Sequence, residues 1–271
     1  MNANFVTTFS APSGTTGAAP LDIAAIPAFR DNYIWLIRAG DTAVVVDPGD
    51  AVPVAAVLSR EGLRLAAILI THHHADHQGG VVDLVRQWSP AVFGPAAESI
   101  TGITHPLSGG ERIVVPGLAV PLDVLAVPGH TCGHLAYLGA GCLFCGDTLF
   151  GAGCGRLFEG TPAQMAASLA LIAALPGDTR IYCAHEYTAQ NLRFAAAVEP
   201  DSTAIRERTA AVAEARERGE ATVPSTLALE KLTNPFLRCS EPAVVAATRA
   251  RGADGEAVNV FAALRAWRND F

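Results

Sequence analysis

The stretch Ile68-Leu69-Ile70-Thr71-His72-His73-His74-Ala75-Asp76-His77, closed by Gly79-Gly80, decides both the architecture and the chemistry of this chain. Ile68, Leu69 and Ile70 are aliphatic in succession, the pattern of a strand covered on both faces. Beyond the glycines, Val81, Val82, Leu84, Val85 and Trp88 recur at helical spacing. A polar loop therefore joins a buried strand end to a helix. Imidazoles and a carboxylate crowded into six residues compete for hydrogen bonds, and packing gives no reason for them. Divalent cations remove the conflict, since neutral imidazole and carboxylate are ligands of Zn, Fe and Mn. His72 and His74, two apart in extended chain, face the same way and can grip one ion. Asp76 and His77, further around the turn, can grip a second. His73 and His105 are read as non-ligands.

The same arrangement recurs along the chain. An apolar strand over 118–127 ends in Pro128-Gly129-His130-Thr131-Cys132-Gly133-His134, where His134 reads as a structural or supporting residue. A strand over 142–145 runs into Gly146-Asp147-Thr148, and Ile181-Tyr182-Cys183-Ala184 runs into His185-Glu186-Tyr187. One such residue is ordinarily a turn or cap. Four in succession, in a chain with eight histidines, point to ligands presented together from strand ends.

Upstream, residues 21–26 read as a first strand, and 32–38 and 42–46 as a strand pair joined by Ala39-Gly40-Asp41. Asp47, in Asp47-Pro48-Gly49, reads equally as a turn carboxylate or as the hydrogen-bond partner of a ligating histidine. Asp50 is placed to cap a helix through Val57, with Gly62 beyond its end. Thr161-Pro162-Ala163-Gln164 has the form of a capping box opening a helix to Leu175. After His185 the chain reads as helices over 187–198, 202–218, 241–251 and 256–268. The expected organisation is a flexible extension over 1–20, an α/β domain over 21–178 and a mainly helical domain over 179–271.

Half of the 271 residues are hydrophobic, enough for a substantial core. A net charge of −7 argues against nucleic acid and anionic membrane as partners, and requires locally clustered Arg or Lys for any anionic substrate. No run has the length of a membrane span, and the first twenty residues lack the charged start of a secretion signal. A cytoplasmic monomer is expected. The six cysteines do not read as a disulfide framework, and Cys142-Leu-Phe-Cys145 reads as buried free thiols, because strand geometry sends residues three apart to opposite faces.

The series His72, His74, Asp76, His77, His130, Asp147 and His185 resembles the metal ligands of the metallo-β-lactamase superfamily. More narrowly, Gly129-His130-Thr131-x-Gly133-His134, Gly146-Asp147-Thr148-Leu149-Phe150, Gly153-Cys154-Gly155-Arg156 and Asn234-Pro235-Phe236-Leu237-Arg238 resemble glyoxalase II, the hydroxyacylglutathione hydrolases. The resemblance runs from about Leu21 to the last residue. It implies an αββα sandwich with a helical C-terminal part. It also implies two divalent ions per chain, Zn foremost with Fe or Mn as alternatives. One would be held by His72, His74 and His130, the other by Asp76, His77 and His185, with Asp147 bridging. Arg156, Tyr187, Arg265 and Arg268 match positions that bind glutathione. Phe158 stands where some family members carry Tyr, so one hydroxyl contact is absent. Arg265 and Arg268, three apart on one helix side, also fit a solvated helix face.

The implied reaction is hydrolysis of S-D-lactoylglutathione to D-lactate and glutathione, a step of methylglyoxal detoxification. Two cations about 3.5 Å apart lower the pKa of a shared water, giving a hydroxide to attack the thioester carbonyl. Asp76 and Asp147 are read as the catalytic carboxylates, and no Ser or Cys nucleophile is assigned. Competing readings are a lactonase or β-lactamase, a mononuclear-iron oxygenase acting on a glutathione persulfide, and a redox or metal-storage binding protein without turnover.

Overall fold

The computed structural model describes residues 7–10, as backbone, and 21–271. The chain packs as two compact units, one running to Ala126 and resuming over 133–146, the other comprising 127–132 and 147–271. Among the described residues no helix is long and apolar enough to cross a membrane.

The first unit is built on a seven-stranded sheet in the order β1-β2-β3-β4-β5-β6-β7. Strands β1 (Thr7–Ser10), β2 (Asp22–Ala28), β3 (Asn32–Ala39) and β4 (Thr42–Val46) are antiparallel neighbours. The flexible extension expected over 1–20 lies outside the described residues except for β1, which forms the sheet edge. Ala39 pairs Thr42, so Gly40 and Asp41 alone make the turn, with Gly40 at φ +63°. Helix α1 (Ala51–Glu61) then crosses to β5 (Arg64–Leu69), which lies parallel to β4. Asp50 accepts from Val52 N at 2.9 Å, and Gly62 ends the helix at φ +64°, as the sequence leads one to expect. Beyond β5 come the short α2 (Ala75–Gln78), α3 (Val81–Trp88), β6 (Ala91–Pro95) and β7 (His105–Leu107), the last two again parallel. Val54, Val57 and Leu58 of α1 and Val81 and Leu84 of α3 are buried with Leu36, Val45 and Ile68 of the sheet. Each such side chain contributes about 1.5–3 kcal/mol of hydrophobic stabilisation.

A second, antiparallel sheet of this unit takes β8 (Arg112–Ile113), β9 (Leu122–Ala126), β10 (Leu135–Gly139) and β11 (Cys142–Gly146). The strand expected over 118–127 is thus confined to β9. Leu118 N bonds back to Val115 O in a turn at Gly117, whose φ is +88°, and Pro121 has no N–H for a ladder. Buried Tyr137 of β10 donates to Ile70 O at 2.7 Å, and Leu135 N to Thr71 O at 2.9 Å. Both bonds end on the chain that leads out of β5 into the histidine loop.

The second unit begins with the hairpin β12 (Leu149–Phe150) and β13 (Gly153–Cys154), followed by α4 (Pro162–Ala173) and β14 (Arg180–Cys183). The capping box is present: Thr161 Oγ1 accepts from Gln164 N, and Gln164 Oε1 from Thr161 N. Then follow α5 (Thr188–Val198), α6 (Thr203–Glu217), β15 (Ser225–Thr226), α7 (Leu227–Thr233), a 3-10 turn (Pro235–Leu237), α8 (Pro242–Arg249) and α9 (Ala257–Asp270). Helix α4 packs on α9 and on the 3-10 turn, so it belongs with the helices that follow it.

A Cβ at Gly49 would lie 1.9 Å from the carbonyl oxygen of Asp76, backbone against backbone. Gly49→Ala must therefore displace the histidine loop, and should lower the unfolding free energy by about 3 kcal/mol in a urea titration.

Candidate active site

In the first unit, Asp47 organises the loop after β5. Its carboxylate accepts from Thr71 N at 2.8 Å and from Thr71 Oγ1 at 2.7 Å, and from the Nδ1 side of the His77 ring at 3.0 Å. All three residues are buried. Because Thr71 Oγ1 gives its proton to Asp47, it accepts from His72 Nδ1, 3.0 Å away. The Nδ1 atoms of His72 and His77 are thus both engaged as donors, which leaves each Nε2 as the lone-pair nitrogen. His72 Nε2 lies 3.1 Å from His74 Nδ1, and His77 Nε2 lies 3.6 Å from Asp76 Oδ2. Two nitrogens bound about 2.0–2.1 Å from one tetrahedral ion stand about 3.4 Å apart, so these spacings match shared ligation. Asp47 itself sits at φ +52°, closing the turn while its side chain orients two imidazoles. Both readings of Asp47 describe the same residue.

Three further residues support the loop. His134 stacks on His72 with ring centroids 4.6 Å apart. Asn32 Nδ2 donates to Asp76 Oδ2 at 3.0 Å. His73 Nδ1 lies 3.0 Å from Glu98 Oε2, and its ring stands edge-on to that of His74 with centroids 5.0 Å apart. His105 stacks on Phe93.

In the second unit, Asp147 directly follows β11 in sequence. Its Oδ2 lies 3.4 Å from His130 Nε2 and its Oδ1 3.4 Å from His185 Nε2. Each carboxylate oxygen thus faces a different imidazole. His130 Nδ1 donates to the carbonyl of Arg156 at 2.8 Å, so in the neutral ring Nε2 is again the acceptor. An acceptor nitrogen facing a carboxylate oxygen in a buried site is relieved by a second ring proton or by a cation between them. The loop that carries His130 is pressed onto α4: Ser168 Oγ donates to Pro128 O at 2.7 Å, and a Cβ on Gly129 would meet Met165 at 2.7 Å. Gly155 passes so close that a Cβ would lie 1.9 Å from Asp147 O. Tyr187 stacks on His185, centroids 4.8 Å apart and planes 2° from parallel.

Beside Asp147 the second unit holds a cavity of about 360 Å³. Its walls include His130, Arg156, Phe158, Tyr187, Arg265 and Arg268, bringing together every residue of this unit that the sequence nominated for substrate binding. Phe158 stands edge-on to His130 with centroids 5.3 Å apart. Arg265 is 6% exposed and donates to Cys154 O at 2.9 Å, which removes the solvated-face reading for it. Burial, and the positive charges of Arg265, Arg156 and Arg193, pull the Arg268 guanidinium below its ordinary pKa. An anion in the cavity would relieve that strain. Gln190 and Asn191 also line it, and the sequence reading did not find them. They belong to the face of α5 that follows Tyr187 by one turn, the one signal available. All six cysteines are free thiols, and burial pushes Cys183 up to about 12 and raises Cys154, so neither supplies a thiolate.

Residues 28–185 match the family model of the metallo-β-lactamase superfamily, and residues 186–271 match that of the hydroxyacylglutathione hydrolase C-terminus. Over 93% of its length the chain is 60% identical to the whole of a hydroxyacylglutathione hydrolase of Dechloromonas aromatica. It is 54% identical over 92% of its length to the enzyme of the same name from Methylobacillus flagellatus, of which it covers 99%. Among solved structures it resembles ETHE1 from Myxococcus xanthus, at 26% identity and a TM-score of 0.58, covering 78% of this chain and 84% of that one. It likewise resembles TTHA1623 in a di-iron-bound form, at 26% identity and a TM-score of 0.54, covering 86% and 100%.

Removing the Asp47 carboxylate strands the buried N–H groups of Thr71 and His77, at about 1–3 kcal/mol each. Asp47→Ala should therefore destabilise the protein by about 3 kcal/mol in chemical denaturation; an unchanged midpoint would remove Asp47 from this role.

Proposed function

This chain belongs to the hydroxyacylglutathione hydrolases of the metallo-β-lactamase superfamily, and on that footing we propose that it hydrolyses S-(2-hydroxyacyl)glutathione thioesters, S-D-lactoylglutathione first among them, in methylglyoxal detoxification. The observation that carries the reading is the pairing, in one compact unit, of an Asp147 carboxylate flanked by two imidazoles with an arginine-lined cavity beside it. The relatives named for this activity match the chain almost end to end.

The donor groups fit a dinuclear centre. By the family's pattern, His72, His74 and His130 would hold one ion, and Asp76, His77 and His185 the other. Asp147, with one oxygen toward His130 and the other toward His185, is suited to bridge. Zn is the first choice for this mixed nitrogen and oxygen set, with Fe or Mn as alternatives; one structural relative is described in a di-iron-bound form. Such ions ionise a water near neutral pH and polarise the thioester carbonyl.

The chain's own residues do the rest. Asp76, its carboxylate held by Asn32 and 42% exposed, is placed to take up a proton as well as to ligate. Arg156, Arg265 and Arg268 supply the positive charge that an acidic protein needs to hold a glutathione carboxylate. Tyr187, fixed by Phe150 and His185, and Phe158 wall the cavity near His130. The departing thiol has a pKa near 8.5, so it leaves as a thiolate without a dedicated acid. We place the protein in the cytoplasm as a monomer, a setting in which six free thiols persist.

The test is loss of thioester absorbance from S-D-lactoylglutathione, with metal content measured in parallel. Turnover should vanish on chelation and return with metal. The double variant Arg265→Ala, Arg268→Ala loses two charge-assisted contacts of about 1.5–3 kcal/mol each, so kcat/KM should fall at least about 100-fold. Turnover that persists in the metal-free protein would overturn the proposal.

A further inference from the structure

Gly151 and Ala152 close the β12–β13 hairpin as a two-residue turn. Ala152 is fully buried and holds φ at +53°, a left-handed conformation that a residue with a Cβ resists. Such strain persists only where the surroundings over-determine the backbone. Here the surroundings are side chains. Ala152 N donates to Glu230 Oε2 at 2.8 Å. Asn234 Nδ2 donates to Phe150 O at 3.2 Å and Gly153 O at 2.9 Å, gripping both ends of the turn. Asn191 Nδ2 donates to Gly151 O at 3.0 Å. Glu230 and Asn234 are fully buried, and Arg208 Nη2 balances the Glu230 charge at 2.5 Å. Gly151 and Gly153 leave no room for a Cβ, which would come within 2.3 Å of Thr188 and 2.4 Å of Asn191.

This clamp holds the wall of the arginine-lined cavity. The hairpin's last residue, Cys154, offers its carbonyl to Arg265 Nη1 at 2.9 Å. Asn234 Oδ1 also accepts from Phe236 N at 3.1 Å, and the Arg265 guanidinium lies over the Phe236 ring, 5.2 Å from its centroid. Asn234 thus fixes two separate supports of Arg265. From the other side, Asn191 Oδ1 accepts from Arg268 Nη2 at 3.3 Å. The hairpin's Phe150 ring meets Tyr187 edge-on at 5.3 Å.

We propose that Asn234 is a positioning residue for substrate binding: through the strained hairpin and Phe236 it presets Arg265 and Phe150, so that the carboxylate end of a glutathione thioester meets donors already in place. The inference rests on the hydrolase reading above. Asn234 does not itself line the cavity, so its effect falls on binding and not on the chemical step.

The test uses the metal-loaded full chain, wild type and Asn234→Ala, with Asn234→Ser as a second variant if the first does not fold. Binding of S-methylglutathione, a thioether that cannot be hydrolysed, is measured by calorimetry. KM and kcat are measured with S-D-lactoylglutathione, and metal content is checked. In each folded variant Kd and KM should rise about tenfold, with kcat of Asn234→Ala within threefold of wild type and metal content unchanged. Folded variants with an unchanged Kd, or with kcat reduced and KM unaltered, overturn the positioning role. A wild type that neither binds S-methylglutathione nor turns over the thioester would instead bring down the hydrolase reading, and this inference with it.

Discussion

A single buried carboxylate, Asp47, governs the histidine loop. It ends two hydrogen-bond chains, one from His77 Nδ1 directly and one from His72 Nδ1 by way of Thr71 Oγ1, and it also holds the Thr71 backbone. The consequence is electronic as much as geometric. With both Nδ1 atoms committed as donors, both Nε2 atoms present lone pairs, the state in which imidazole ligates a cation. Local packing backs the arrangement, for the loop's return past Gly49 leaves no space even for a methyl group.

The second unit repeats the device with different parts. There a backbone carbonyl, that of Arg156, takes the Nδ1 proton of His130 and turns Nε2 toward Asp147. The chain segment that supplies this carbonyl also contributes Arg156 to the cavity wall, and the hairpin just before it anchors Arg265. Orientation of the imidazole and definition of the anion cavity are thus coupled through residues 149–156. Preorganisation of this kind lowers the cost of binding, because the donors need not be ordered when the substrate arrives.

Much of this was legible in the sequence, for identifiable reasons. Ligand-type residues after 69, 126, 146 and 183 stand out because each follows an apolar strand, and the Asp50 and Thr161 caps announce their helices. What was not legible depends on contacts remote in sequence. Asn32 reaches residue 76, and Asn234 reaches residues 150 and 153; no spacing rule links positions so far apart. Asp47 could be read in two ways because a turn and a histidine partner ask for the same carboxylate. The strand over 118–127 was overextended because apolar residues at 118 and 120 suit a turn packed on the core as well as a strand.

The central claim is that Asp147 bridges two ions between the imidazoles it faces, and anomalous diffraction from crystals of the metal-loaded protein tests it most directly. The account predicts two anomalous scatterers, each within about 2.2 Å of a different oxygen of Asp147. A single scatterer, or a pair remote from that carboxylate, would contradict it.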